Sequence, residues 1–81
     1  MYELFHAISD VGSAKVRRFI VEHAVEVRFR NVTYDEVRVD LHARGGEAAP
    51  ALWDGERLIT GADAIIEHLS RAPRPGTAST R

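Results

Sequence analysis

The apolar positions change period several times along the chain. Over residues 2–8, apolar side chains fall on both sides of an extended trace: Tyr2 and Leu4 one way, Phe5 and Ile8 the other. This predicts a short strand that is covered on both faces and suits the middle of a sheet. Beyond it the spacing becomes three, four and seven. Val16, Phe19, Ile20, Ala24 and Val27 form one stripe, with Lys15, Arg17, Arg18, Glu22 and Glu26 elsewhere. That spacing predicts a helix over 12–29, with Asn31 suited to its C-terminal end. Over 34–41 alternation returns, Val37 and Val39 against Arg38 and Asp40, which predicts a second strand. Residues 42–47 read as a loop with little room for a helix before Pro50. Ala51-Leu52-Trp53 and Arg57-Leu58-Ile59 flank Asp54-Gly55, a strong hairpin signal because both turn residues accept positive φ. Gly61 ends that hairpin, and Ile65, Ile66 and Leu69 give 62–71 the stripe of a closing helix.

The order is β-α-β followed by β-β-α. A strand–helix–strand unit implies a parallel pair with a right-handed crossover, and the hairpin adds an antiparallel pair. The predicted fold is therefore α/β with a four-stranded mixed sheet. Its expected core is Leu4, Val16, Phe19, Ile20, Val37, Val39, Leu52, Ile65 and Leu69, with Trp53 packed on the sheet. Residues 1–71 form one domain, and 72–81 carry no apolar period and are expected to be a disordered tail.

Composition narrows the function. The 81 residues carry 11 Lys+Arg against 12 Asp+Glu, a net charge of −1, which argues against nucleic acid as a partner. With no cysteine, the chain can form no disulfide, supply no thiolate to a metal and do no thiol chemistry. No apolar run reaches membrane-spanning length, and no basic-then-apolar leader opens the chain, so a cytoplasmic protein is expected. His6, His23, His42 and His68 sit on separate predicted elements without ligand spacing, so no metal site is expected.

Three stretches carry a family resemblance. Ser9-Asp10-Val11-Gly12-Ser13-Ala14-Lys15-Val16-Arg17 resembles the loop and first helical turn of glutaredoxins and of glutathione S-transferase N-terminal domains. Ala48-Ala49-Pro50-Ala51-Leu52 resembles their Val-Pro-x-Leu segment. Gly55 to Leu69 resembles the hairpin and last helix that hold the γ-glutamyl end of glutathione. The resemblance implies a thioredoxin-like fold with a shortened second-helix region and a cis Ala49–Pro50 bond. It places Asp10 at the family's nucleophile position and Ser13 at its second cysteine position. It places Ala49 and Pro50 beside a peptide-like ligand, and Asp63 against the ligand's amino group. The Glu-Ser pair that transferases use falls on Gly61 and Ala62.

These positions also have ordinary readings. Asp10 is suited to cap a helix, and Ser13 and Ser9 to bond backbone at its start. Asp63 suits the first turn of the last helix. The expected function is a thiol-free binding or interaction domain without a resident cofactor, taking glutathione weakly, a peptide or a protein partner. The alternative is a Ser-type glutathione transferase fragment that uses Ser9 or Ser13.

Overall fold

The computed structural model describes residues 1–71. Its elements are β1 (Tyr2–His6), α1 (Val11–Glu22), β2 (Val27–Asn31), α2 (Asp35–Ala43), β3 (Ala51–Trp53), β4 (Leu58–Thr60) and α3 (Ala62–Arg71). The strands form one four-stranded sheet in the order β2-β1-β3-β4. β1 runs parallel to β2, with Leu4 opposite Phe29, and antiparallel to β3, with Leu4 opposite Leu52. The β3–β4 hairpin closes at Asp54, whose Oδ1 accepts the backbone N–H groups of Glu56 and Arg57, each at 2.9 Å. Gly55 there takes φ 103°, a conformation closed to most side chains. This is the expected thioredoxin-like mixed sheet, with the central strand, the hairpin and the last helix where the pattern put them. No helix among the described residues is long and apolar enough to cross a membrane. The expectation of a disordered tail concerns 72–81 and lies outside the described residues.

Two expectations fail between residues 23 and 43. The first helix stops at Glu22, and Val27–Asn31 is β2 rather than the end of the helix. The stop is a left-handed turn at Ala24, φ 52°, with Ala24 N–H bonded to Val21 C=O at 3.3 Å and Val25 N–H to Ile20 C=O at 3.0 Å. This is a Schellman termination built on alanine where glycine is usual. The second failure is the strand expected over 34–41. It is helix α2, so the order is β-α-β-α-β-β-α and the second helix is a full nine residues. Val37 and Leu41, four apart, are buried, while Val39 is 67% exposed and leaves the expected core.

Two apolar clusters flank the sheet, because Leu4 and Phe5 are successive residues of β1 and point to opposite faces. On one face Leu4, Val16, Ile20, Leu52, Ile65 and Leu69 join α1 and α3, with Phe19 half-buried at the margin. On the other, Phe5, Leu41 and Ala51 hold α2. This second cluster is small, and a ring of charges extends it. Arg30 Nη1 reaches Glu3 Oε1 at 2.7 Å and Asp40 Oδ2 at 3.1 Å. Arg44 closes the ring to Asp40 at 3.2 Å and to Glu3 at 3.3 Å. The guanidinium of Arg44 also lies 5.5 Å from the Phe5 ring centre and 5.1 Å from that of Trp53. Burial alone would push the Glu3 carboxyl up, but the hydrogen bond from Arg30 and the charge of Arg44 bring it below its ordinary value.

Candidate functional site

The site is built where α1 begins. Asp10 is the N-cap of α1, and its Oδ2 accepts the Ser13 N–H at 2.7 Å. Its backbone C=O accepts the N–H of Ala14 at 3.0 Å. The family's nucleophile position is thus occupied by a carboxylate engaged in capping. Ser13 is fully buried, and its Oγ accepts the Ala7 N–H at 3.1 Å, tying the end of β1 to the first turn of α1. Ser9 is exposed in the turn between β1 and α1.

Arg17, to which the sequence reading assigned no role, fixes this loop from the next turn of the helix. Its Nη1 donates to Ala7 C=O at 3.1 Å and its Nη2 to Ile8 C=O at 3.2 Å. Nη1 also lies 3.1 Å from His6 Nδ1. Burial, and then the charge of Arg17, hold the His6 imidazole below its ordinary pKa, so it accepts from the guanidinium as a neutral ring. The ring of Phe29 meets it edge-on at 5.5 Å. A helical cation seven residues from a capping Asp has no distinctive sequence signature, and only the fold brings it back over the loop.

Pro50 follows a cis peptide bond and is buried against this loop. A Cβ added at Gly12 would come within 3.3 Å of both Asp10 Oδ2 and Pro50 Cδ, which measures how closely the start of α1 approaches the proline ring. A groove of about 420 Å³ lies on the other side of Pro50, lined by the segment 45–50 with Thr60 and Gly61. Its floor is fixed by the Gly61 N–H, which donates to Pro50 C=O at 3.2 Å. Among the described residues, no backbone N–H or C=O of Glu47, Ala48 or Ala49 is hydrogen-bonded. Ala49 and Pro50 therefore both line the groove.

Asp63 follows Gly61 in the first turn of α3. Its Oδ1 is 2.8 Å from Lys15 Nζ, across the junction of α3 with α1. The hydrogen bond and charge of Lys15 lower the Asp63 carboxyl below its ordinary pKa. Both side chains are exposed, 57% for Lys15 and 89% for Asp63. Asp10 and Ser13 thus stand at the start of α1, Ala49 and Pro50 line the groove, and neither Asp63 nor Lys15 is among its lining residues. No group of three or more His, Asp or Glu suited to a metal ion occurs among the described residues.

Comparison with known proteins agrees with this fold. No curated protein matches the chain. Among solved structures, the glutaredoxin-like protein NrdH-redoxin from Escherichia coli, described for its thioredoxin-like activity profile, is similar in fold. It is 20% identical with a TM-score of 0.72, over 89% of this chain and 97% of that one. A family model for the glutathione S-transferase N-terminal domain matches residues 8–76. With the order of elements, the proline at the groove and the last helix all in place, the chain belongs to the glutathione S-transferase N-terminal domain family.

Proposed function

We propose that this protein is a thiol-free binding module whose groove beside Pro50 takes an extended, peptide-like ligand, with glutathione as a weak one. The observation that carries the reading is the unpaired backbone of Glu47–Ala49 in the groove wall. A residue before proline is held extended, so Ala49 presents its N–H and C=O as a strand does. A peptide that pairs with it gains main-chain hydrogen bonds that the fold itself leaves unmade. The transferase alternative has less support. Ser13 is buried with its oxygen facing Ala7 N–H, away from solvent. Ser9 is exposed, but no hydrogen bond joins it to a base among the described residues. A nucleophilic serine needs such a base.

The test is a backbone-amide NMR titration with glutathione into the millimolar range. Shifts of the amides at Ala49 and Ala51 and at Gly61–Asp63, with millimolar affinity, are the expected result. Shifts confined to another surface, or none at all, overturn the reading.

A further inference from the structure

The groove wall carries a charge that the fold leaves unanswered. Gly45, Gly46 and Glu47 line both the groove beside Pro50 and a neighbouring depression of about 540 Å³ that His42 completes. Among the described residues, Glu47 is the one acidic side chain lining the two, and no Lys or Arg lines either. Glu47 is exposed, and no ion pair among the described residues reaches it. We propose that the groove takes a basic extended peptide, with a Lys or Arg side chain of the ligand set against Glu47 while the ligand's main chain pairs with Ala49. This rests on the groove reading above and names the class of peptide that the groove selects.

The placement of Glu47 supports this on three counts. First, the segment that carries it is anchored on both sides. Gly46 is buried, and its N–H donates to Leu41 C=O at 3.0 Å. A Cβ added at Gly46 would stand 2.5 Å from Leu41 Cδ1 and 2.7 Å from Leu58 Cδ2, so the backbone there is wedged between α2 and β4. At the other end, Pro50 C=O accepts the Gly61 N–H at 3.2 Å. A ligand therefore meets the carboxylate on a rim already in place, which limits the ordering that binding requires. Second, Ala48 and Ala49 separate Glu47 from Pro50. Their short side chains let another chain approach the unpaired backbone. Third, a ligand residue two positions from the one that pairs with Ala49 comes up to Glu47, and opposite charges at facing positions of paired chains attract. The sign of this charge also accounts for glutathione as a weak ligand, since that peptide carries more carboxylate than ammonium.

A general attraction of basic peptides to the protein is distinguishable from a contact with Glu47. The net charge is only −1, and Glu56 is an exposed acid that lies outside the groove lining. Removing the Glu56 charge changes the net charge as much as removing that of Glu47, and leaves the groove intact.

The experiment titrates three capped pentapeptides, acetyl-Arg-Ala-Ala-Ala-Arg-amide and its counterparts with Gln or Glu at both ends, into the wild type, Glu47→Gln and Glu56→Gln at neutral pH. With the central alanine opposite Ala49, a terminal side chain faces Glu47 in either chain direction. Backbone amides of Ala48, Ala49, Ala51 and Gly61 report binding. The wild type should bind the Arg peptide about three- to fivefold more tightly than the Gln peptide, the upper range for an exposed ion pair, and the Glu peptide most weakly. Added salt should narrow these gaps. Glu47→Gln should bring the Arg and Gln peptides to one Kd, and Glu56→Gln should keep the wild-type gap. A gap that survives Glu47→Gln, or that Glu56→Gln closes equally, overturns the role of Glu47. Equal Kd for the three peptides in the wild type, with the Ala48 and Ala49 amides still shifting, overturns the basic preference and leaves the groove reading standing. Absence of shifts at Ala48 and Ala49 with every peptide overturns both.

Discussion

If Asp10 serves α1 as a cap, replacing it must cost stability whether or not any ligand is present. The bond to Ser13 N–H is 2.7 Å long, short for an amide donor and in keeping with a charged acceptor. Losing an N-cap side chain costs about 1 kcal/mol, with a range of roughly 0.5–2. Losing the negative charge from the positive end of the helix adds roughly 0.3–1 kcal/mol. Asp10→Ala should therefore destabilise by about 1.5–2 kcal/mol, from the sum of these two effects. In a domain of this size each kcal/mol moves Tm by roughly 4–8 °C, so the drop should be about 6–16 °C. Asp10→Asn keeps an acceptor for Ser13 and gives up the charge, so only roughly 0.3–1 kcal/mol should be lost. The assay is urea and thermal unfolding of the three proteins at neutral pH, without ligand and at low salt. The order of stability should be wild type, Asp10→Asn, Asp10→Ala, and added salt should narrow only the first gap. An Asp10→Ala protein as stable as wild type, or more so, would refute the reasoning. It would mean that the carboxylate is held at the helix start against the interest of the fold, as a residue kept for a ligand would be.

Two further outcomes follow from the described interactions. Ala24 terminates α1 at φ 52°, where an L-residue with a Cβ is strained by roughly 1–2 kcal/mol and glycine loses only about 0.5–1 kcal/mol of chain entropy. Ala24→Gly should raise the urea midpoint without changing the slope, and a lowered midpoint would show that the turn does not persist in solution. The pH dependence has two stages. The folded His6 pKa lies below 6.5 because of burial and Arg17, so its contribution is complete above 6.5 and declines as pH falls below it. The folded Glu3 pKa lies below 4.5, so its contribution is present above 4.5 and is lost as pH falls through the folded value. Unfolding free energies measured from neutral pH to about 3 should lose the first stage in His6→Gln and shrink the second in Glu3→Gln, the remainder belonging to Asp54 and Asp63, whose carboxyls are also lowered. Unaltered profiles in both variants would refute the assignments.

How much of this was legible in the sequence depends on where each signal came from. β1, the hairpin and α3 were readable because the signal was local: a two-sided apolar run, Asp54-Gly55, and the stripe of Ile65, Ile66 and Leu69. The stretch between α1 and β3 was misread for two reasons. The apolar spacing of α1 continues by chance into Ala24 and Val27, while the actual stop is an alanine carrying none of the usual glycine or asparagine warning. In α2, Val37 and Val39 suggest alternation, and the N-cap is Tyr34, which makes no side-chain capping bond. Signals of a helix were nevertheless present. Asp35 and Glu36 stand in its first turn, and the buried pair Val37 and Leu41 is four apart. Phe5 was missed as a core residue because its burial depends on α2, an element that the alternation reading removed.

At the start of α1 the resemblance pointed to Asp10 and Ser13, and the structure gives each a local bond. In a redox member of such a fold, the start of α1 stabilises an external or covalent anion through unpaired N–H groups and the helix dipole. Here Asp10 supplies that anion from within the chain and takes the Ser13 N–H directly. Ser13 is turned inward to Ala7, and Arg17 holds the carbonyls of Ala7 and Ile8, so these groups are met by the protein itself. With the Asp10 carboxylate already at the helix start, an external thiolate would meet a like charge there. On the groove side of Pro50 the balance is reversed: the backbone of Glu47–Ala49 makes no hydrogen bond. The proposed recognition role therefore rests on the groove, where main-chain groups are left to pair, and not on the start of α1.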